Sequence, residues 1–429
     1  MSLSTLCRAA FLSSLLIPRW ASAADWPRFR GPNGSAVSDD RHTATRWSET
    51  ENIVWKTPLP GPGTSSPIIS GGKIFLTSYT GFGVSEENPG DSAKLERVLM
   101  CLDEGSGKIL WERAVKGVAN EDRFQGYLAS HGYASSTPAT DGQRVYVLFG
   151  KAGVVAFDLD GKQLWHKSVG TGSGMMGWGS ATSPIVYKNL VIVNAAAESK
   201  AIYAFDGQTG KEVWKSPADS LEGCWGTPLL VETADKKTEL VQAVGGEVWG
   251  FDPDSGKFLW FCETLGGGAI CSSLVSRDGI VYLVTGGPGG GGAAAVRVGG
   301  RDDVTKTHVL WSNRKVASYI TSPVLVGDHL YWVNDQGIAH CISSKTGESA
   351  YQQRLPDGGQ LYSSVTAAGD KLYAVTRDRG TFVLAARPEF SVLARNQLES
   401  AGICNAGLSV SNNRLFLRSN KFLYCIGEK

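Results

Sequence analysis

The 429-residue sequence is nearly neutral, with 42 Lys and Arg against 41 Asp and Glu. This balance gives no overall electrostatic reason to expect nucleic acid or an anionic membrane as a partner. It does not exclude local charged patches. The chain is 42% hydrophobic, which is ample for a packed core. Its 53 Gly and 13 Trp, together with few stretches of helical periodicity, favour an all-β protein rich in tight turns.

The first 23 residues have the features of a targeting segment. Arg8 precedes an apolar run over Ala9–Ile17, Pro18 ends that run, and Ala21-Ser22-Ala23 has the small-x-small pattern of a signal peptidase site. The run is too short for a stable membrane anchor. We therefore predict a signal peptide at 1–23 and a periplasmic or secreted protein with no transmembrane anchor.

One short pattern recurs along the remaining chain. In Ala201–Trp214, an apolar run ends in Asp206, a turn containing Gly210 follows, and alternation resumes toward Trp214. An Asp carboxylate can cap such a turn and Gly supplies the positive φ that reverses the chain, so the pattern predicts a β-hairpin. Other copies, the last two eroded, are Leu99–Trp111, Val154–Trp165, Val248–Trp260, Ile338–Tyr351 and Thr381–Leu393.

The spacing of the copies indicates the architecture. The closing tryptophans at positions 111, 165, 214, 260 and 311 are separated by 54, 49, 46 and 51 residues. A period of about fifty residues suits a four-stranded propeller blade. Each repeat also has a small, mostly hydroxyl-bearing motif at its predicted innermost strand, near a crowded axis. These motifs predict eight blades and are Ser65-Ser66-Pro67, Ser136-Thr137-Pro138, Thr182-Ser183-Pro184, Gly226-Thr227-Pro228, Ser272-Ser273-Leu274, Thr321-Ser322-Pro323, Ser363-Ser364-Val365 and the weaker Ala406-Gly407-Leu408.

The two ends of the chain are predicted to complete one blade. Ile53–Lys56 looks like a closing outer strand without earlier strands, whereas Arg414–Arg418 and Phe422–Ile426 look like middle strands without a tryptophan strand after them. Pairing them would close the ring and remove an exposed sheet edge. We therefore expect an N-terminal extension on the propeller surface at 24–51 and an eight-bladed, all-β propeller of antiparallel blades at 52–429.

Seven cysteines remain after residue 23, an odd number that leaves at least one thiol unpaired in a monomer. Cys101, Cys341 and Cys425 occupy the repeat position that Ala156 and Ala204 occupy in other copies, so we expect small, buried, free thiols there. Cys262 and Cys271 flank one short connection. They form the preferred disulfide candidate in an oxidising compartment.

Three enlarged loops are predicted to gather at one mouth of the central channel, the usual location of propeller sites. These are Tyr79–Arg97, Gly117–Ala134 and Gly170–Gly179. The candidate ligand-binding residues at this mouth are Arg123, His131, Trp178, Trp225, Tyr319, Tyr362, Arg377 and Asn405. Arg forks and flat aromatic faces suit a sugar, a quinone or an anionic group. The structural alternative is that these loops cover the channel and pack on their own aromatic residues.

The sequence provides little support for conventional catalysis. His131 lies near the mouth, but a single loop histidine is more often a hydrogen-bonded tether than a base. Asp252–Gly256 resembles the start of a calcium loop but lacks the later acidic ligands, and Gly286–Gly292 lacks the Lys and Ser/Thr of a phosphate loop. No Cys-x-x-Cys-His, His-Glu-x-x-His or Gly-x-Ser-x-Gly motif occurs.

The apolar-Ala-x-Asp run, Thr-Gly turn and closing Trp resemble the repeat of pyrroloquinoline quinone (PQQ)-type propellers. With Trp26-Pro27 and Phe29–Pro32, the chain resembles secreted propellers of the planctomycete type and, loosely, BamB, the outer-membrane assembly lipoprotein. The resemblance implies an eight-bladed propeller and little about chemistry.

Two functions follow from these observations. The preferred one is a non-catalytic scaffold that binds a protein or glycan at the loop face, with no established cofactor and no metal. The alternative is a quinoprotein alcohol or sugar dehydrogenase that uses PQQ with calcium, with Trp178 or Trp225 as a stacking face. Family enzymes of that type are expected to have two adjacent cysteines, which this sequence lacks. The sequence leaves the ligand, the catalytic residues and the oligomeric state open.

Overall fold

The computed structural model describes residues 25–266 and 268–428. The predicted signal peptide at 1–23 lies outside these residues. Within the described part, eight small sheets form an eight-bladed β-propeller, as the sequence predicts. No helix there is long and apolar enough to cross a membrane.

The first four blades follow each other along the chain, each with four antiparallel strands from the channel outward. Blade 1 comprises Ile68–Ser70, Lys73–Thr80, Glu96–Asp103 and Ile109–Lys116. Blade 2 comprises Ala139–Thr140, Arg144–Leu148, Val154–Asp158 and Gln163–Lys167. Blade 3 comprises Ile185–Tyr187, Leu190–Ala195, Ala201–Asp206 and Glu212–Pro217. Blade 4 comprises Leu229–Glu232, Thr238–Val244, Glu247–Phe251 and Phe258–Glu263, to which Asp302–Asp303 adds in parallel.

The remaining blades continue around the ring in the same order. Blade 5 comprises Val275–Arg277, Ile280–Thr285, Gly292–Arg297 and Val309–Asn313. Blade 6 comprises Val324–Val326, His329–Val333, Ile338–Ser343 and Ser349–Arg354. Blade 7 comprises Thr366–Ala368, Lys371–Val375, Thr381–Ala385 and Val392–Asn396, with Val37–Ser38 added in parallel. Blade 8 comprises Ser409–Ser411, Arg414–Arg418, Phe422–Ile426 and Ile53–Pro58.

Helical segments are short and lie in the connections. The α-helices are Gly126–His131, Ala196–Ser199 and Thr305–His308. The 3-10 helices are Ser92–Lys94, Gly150–Ala152, Met175–Gly177 and Asp219–Leu221.

Ring closure occurs through the predicted terminal strand. Ile53–Pro58 pairs antiparallel with Phe422–Ile426, and Trp55 lies opposite Cys425. This is the arrangement that Trp111 and Cys101 adopt within blade 1. The N-terminal strand therefore supplies the outer strand of the last blade, and the edge that an open sheet would expose is paired.

The recurring turn performs the role expected from its sequence. In blade 3, an Asp206 carboxylate oxygen accepts hydrogen bonds from the backbone N–H of Thr209 at 2.8 Å and from its hydroxyl at 2.7 Å. Gly210 has φ of +69°. The carboxylate of Asp252 caps the corresponding turn of blade 4, accepting the N–H groups of Asp254 and Ser255. Asp252–Gly256 therefore forms the hairpin turn that its place in the repeat copy Val248–Trp260 predicts.

The closing tryptophans connect neighbouring blades. The indole N–H of Trp165 donates to the carbonyl of Gly207 in the turn of blade 3, at 3.0 Å. Trp55, Trp111, Trp214 and Trp311 make the same contact with the next blade, to carbonyls of Glu104, Leu159, Pro253 and Ser344 respectively. Trp260 differs, because its indole donates to the Glu239 carboxylate of its own blade. The repeat thus encodes interfaces between blades as well as hairpins.

Of the two predictions about the cysteines, the one of buried free thiols is confirmed and the one of a disulfide is not. Cys101, Cys341 and Cys425 are buried free thiols in the blade cores, as predicted. The prediction of a Cys262–Cys271 disulfide is wrong, since both thiols are free. Cys262 is buried in the outer strand of blade 4, whereas Cys271 lines the central channel.

The N-terminal extension has two parts with different surroundings. Residues 43–49 run along blades 7 and 8, where Thr43 bonds to Tyr373 and the backbone N–H of Trp47 bonds to Asn396. Residues 26–38, which we call the floor segment, lie under the channel, and Trp26, Arg28 and Arg30 are buried. The expectation of an extension on the propeller surface therefore does not include the burial of this first part.

Candidate functional site: the central channel

A ring of hydrogen bonds surrounds the channel. In seven neighbouring blades, the small residue just before the inner strand contributes a backbone N–H, a side-chain hydroxyl or both. Six such bonds, of 2.9 to 3.1 Å, connect consecutive blades. They run in order through Ser66, Thr137, Ser183, Thr227, Ser273, Ser322 and Ser364.

The predicted motifs therefore have a second physical basis besides their small size. Their hydroxyls replace the backbone partners that the channel ends of the inner strands lack, because a buried N–H without an acceptor is costly. The weaker eighth motif has Gly407 at this position, which has no hydroxyl to offer. We call the seven bonded residues given above, from Ser66 to Ser364, the hydroxyl ring.

The channel encloses a cavity of about 200 Å³. At one end, aromatic and polar side chains from the predicted mouth line it: Tyr127, His131, Trp178, Trp225, Tyr319, Tyr362 and Asn405. The hydroxyl ring, apart from Ser183, lines its middle, and Trp26, Phe29, Arg30 and Ala36 line the other end. The cavity is therefore closed below by the floor segment.

The floor segment is attached to inner strands on several sides of the channel. Trp26 pairs with Ile69 of blade 1, through backbone bonds of 2.8 and 3.0 Å. The carbonyl of Pro27 accepts from Thr140 of blade 2, and that of Ala36 accepts from Ala367 of blade 7. These partners follow the hydroxyl ring in their own strands, which places the segment at the end opposite the mouth.

An aromatic cluster forms one side of the mouth. The Trp178 ring lies 4.7 Å from Tyr127 in an edge-to-face arrangement and 5.1 Å from Trp225. The Trp225 indole N–H donates to the carbonyl of Gly179 at 2.8 Å. Tyr127 is 37% exposed, so this cluster presents apolar surface at the opening.

The opposite side carries a cation. The Arg377 guanidinium lies 4.2 Å from the centre of the Tyr362 ring, a cation–π contact. Its Nη1 donates to Asn405 Oδ1 at 3.1 Å, and Asn405 Nδ2 donates to the carbonyl of Ser130 at 2.8 Å. The chain of contacts connects blades 7 and 8 to the loop after blade 1.

His131 has the tether role that the sequence favours over a base. Its Nδ1 lies 2.6 Å from Ser135 Oγ, and its Nε2 lies 2.9 Å from the carbonyl of Trp178. Burial lowers the pKa of His131 below its usual value. Because the pKa is lowered, the imidazole is neutral at pH 7. Both ring nitrogens contact protein atoms, so His131 holds the Trp178 loop in place.

Seven of the eight predicted site residues come together at the mouth. Six line the cavity, and Arg377 contacts two of those six. Arg123 is exposed and lies outside the cavity lining. The sequence could place these seven residues near the channel axis because loop length and position in the repeat determine which side chains lie there.

The floor residues Trp26, Phe29 and Arg30 were not predicted to belong to the site. One signal was present: two aromatic residues and two arginines occur within the short Pro- and Gly-rich segment Trp26–Pro32. No repeat register exists there, so its position relative to the channel could not be read from the sequence.

The described residues do not fit a calcium-bound quinone. Calcium takes six to eight oxygen ligands, with carboxylates prominent among them. No group of three or more His, Cys, Asp or Glu in 25–266 or 268–428 is arranged to hold a metal. None of the described residues that line the cavity is Asp or Glu.

The fold and the channel define the class of protein: a PQQ-type propeller with a closed-floor central pocket. The family model of the outer membrane protein assembly factor BamB matches residues 92–223, 198–302, 231–353 and 303–412. This chain therefore belongs to the BamB-like family of PQQ-repeat propellers.

Individual relatives are similar in sequence or in fold. BamB of Burkholderia pseudomallei strain K96243 is 24% identical over 307 residues, which cover 58% of this chain and 73% of the relative. The solved structure of BamB from Moraxella catarrhalis matches with a TM-score of 0.60 and 14% identity, covering 88% of this chain and 97% of that one.

A quinoprotein enzyme shares the fold, with a similar TM-score and a similar sequence identity. The quinohemoprotein alcohol dehydrogenase of Comamonas testosteroni matches with a TM-score of 0.57 and 13% identity, covering 95% of this chain and 81% of that one. Identities this low show a common fold alone. The comparisons give no support to the planctomycete-type resemblance.

Proposed function

We propose that this protein is a non-catalytic scaffold of the cell envelope that binds a partner polypeptide at the channel mouth. The observation that carries the proposal is the clustering of Tyr127, Trp178 and Trp225 across the opening from Arg377 stacked on Tyr362. Tyr, Trp and Arg are the residues enriched in protein-binding hot spots.

The family supports the same kind of function. Its relatives are named as outer membrane protein assembly factors, and such a role takes place outside the cytoplasm, where the predicted signal peptide would direct this chain. The dehydrogenase alternative is less well supported, since the carboxylate ligands for calcium are not found among the described residues of the channel.

The proposal is tested by measuring peptide affinity at the mouth. Peptides selected by display on the mature protein are titrated by fluorescence anisotropy against the wild type, Trp178→Ala and Tyr362→Ala. Each substitution should weaken binding about tenfold or more, the loss that follows removal of a hot-spot aromatic. Phe258→Ala is the matched control, because Phe258 is 43% exposed on the outer strand of blade 4 and should leave affinity unchanged.

Two results would replace this proposal. Glycan-array binding that depends on Trp178, in the absence of peptide binding, would make the partner a glycan. Turnover of primary alcohols or aldoses in a dye-linked assay with PQQ and calcium, abolished in Trp178→Ala, would make the protein a dehydrogenase.

A further inference from the structure

The channel contains a buried cation, Arg30, and no Asp or Glu is found among the described residues that line the cavity with it. Arg30 is 4% exposed and lines the cavity floor. Its Nε donates to the carbonyl of Gly34 at 3.1 Å, and its Nη2 donates to the carbonyls of Ser35 and Pro323. Its Nη1 has no hydrogen-bond partner among the described residues.

The charge of Arg30 persists despite burial. Desolvation lowers its pKa to about 9, so the guanidinium is still protonated at neutral pH. A buried charge is costly unless an opposite charge accompanies it. No carboxylate is found among the described cavity-lining residues, so within that part of the chain the charge of Arg30 has no counterpart in the cavity.

The hydroxyl ring adds neutral donors above Arg30. Thr137, Thr227, Ser273, Ser322 and Ser364 line the cavity, and each hydroxyl oxygen accepts a backbone N–H from the preceding blade. Thr137 accepts from Ser66, and the same pattern continues around the ring. Within the described chain, none of these five hydroxyls has an acceptor for its own proton, so each retains a donor for a ligand.

We propose that the channel is a binding site for a small organic monocarboxylate. The carboxylate lies toward the floor and accepts hydrogen bonds from Arg30 and hydroxyls of the ring, and the apolar part of the ligand extends toward the Trp178 cluster. Charge-assisted bonds between guanidinium and carboxylate are among the stronger hydrogen bonds in proteins. The site shares the Trp178 cluster with the proposed partner-binding surface, but its carboxylate-binding end at the floor does not belong to that surface. The proposal does not require the scaffold function.

Charge and size select this ligand class. A single guanidinium at the floor balances one negative charge, and the neutral His131 adds none, so a dianion such as phosphate would remain partly uncompensated. A cavity of about 200 Å³ suits a small molecule, and aromatic rings at its upper end favour an apolar substituent on the acid.

Titration calorimetry of the mature protein with sodium benzoate tests the proposal, with benzamide, acetate, phosphate and chloride compared at equal ionic strength. Benzoate should bind saturably, and benzamide, which lacks the charge, should bind about tenfold more weakly or worse. Arg30→Gln should weaken benzoate about tenfold. Arg28→Gln is the matched control, because Arg28 is buried in the same segment but lies outside the cavity lining. The affinity of this variant for benzoate should stay within about twofold of the wild-type value.

Three results with the wild type would overturn the proposal: no anion binds saturably, benzamide binds as tightly as benzoate, or phosphate binds more tightly than benzoate. Wild-type affinity for benzoate in a folded Arg30→Gln variant would also overturn it. Should Arg30→Gln fail to fold, the double variant Ser273→Ala with Ser322→Ala decides, since removing two donors should reduce benzoate affinity about tenfold. Unchanged affinity there also overturns the site. Peptide binding that persists in Arg30→Gln separates this result from the scaffold proposal.

Discussion

Individual buried residues near the mouth carry charges that the repeat pattern does not indicate. Arg97 forms a two-pronged ion pair with Glu121 at 2.6 and 2.8 Å, and Lys151 pairs with Asp122 at 2.8 Å. Glu198 lies beside this network, is 5% exposed, and its Oε2 has no hydrogen-bond partner among the described residues. Desolvation raises the pKa of Glu198 to about 7.

The raised pKa of Glu198 predicts a pH-dependent stability. Between pH of about 4.5 and 7 the folded protein retains a proton that the unfolded chain has lost, so the free energy of unfolding falls as pH rises. The loss is at most about 3 to 4 kcal/mol, from 1.36 kcal/mol per pKa unit. Glu198→Gln, which cannot ionise, should show a smaller decline in urea denaturation between pH 5 and 8.

The exposed Glu51→Gln serves as the control for that experiment and should retain the wild-type pH profile. An identical profile in wild type and Glu198→Gln would mean that Glu198 is already ionised in the folded protein at pH 5.

The hairpin turn and the tryptophan of the preceding blade act as one structural element. A Cβ atom added at Gly210 would lie 2.6 Å from Cδ2 of Trp165, and the other docked turns are similarly tight, with Gly256 against Trp214 and Gly347 against Trp311. Glycine is therefore required at this turn position for two reasons, the positive φ and the close approach of an indole ring.

Substituting this glycine should loosen the interface between blades. Gly210→Ala combines an unfavourable φ of +69° with a clash against Trp165, and should lower the free energy of unfolding by about 3 kcal/mol. Gly142→Ala is the matched control, since Gly142 has φ of +82° with no atom within 4 Å of the added Cβ, and should cost about 1 kcal/mol. Equal losses in urea denaturation would show that the contact with Trp165 adds nothing.

The whole molecule depends on the N-terminal residues in two independent ways. Ile53–Pro58 completes blade 8, and the floor segment closes the channel through Trp26 and Ala36. Both attachments join the start of the chain to residues far away in sequence, so they tie the two ends of the ring together.

Two deletions separate these contributions. Removing residues 24–57 should cause aggregation or a large drop in melting temperature, because it exposes the edge of Phe422–Ile426. Removing residues 24–38 leaves the closing strand in place and should cause a smaller drop. Differential scanning calorimetry distinguishes them, and a longer deletion that melts like the full mature protein would show that closure by Ile53–Pro58 does not stabilise the ring.

The repeat in the sequence was sufficient to predict the blades, their number and the closing strand. Its information is local: Asp206, Gly210 and Trp214 lie within one hairpin, and each copy specifies the same turn and strand register. The mouth residues followed from it, because a residue just before an inner strand must lie near the axis. Position in the repeat was thus enough to place Trp225, Tyr319 and Tyr362.

Contacts outside the repeat were decided only by the tertiary structure. Arg30 reaches the carbonyl of Pro323 across 293 residues, and no periodic pattern encodes that pairing. Whether the ring hydroxyls bond across blades, and whether Arg123 turns toward the mouth, also depends on packing between segments distant in sequence. Local propensity fixes hairpins, whereas the channel floor and its buried cation arise from long-range burial.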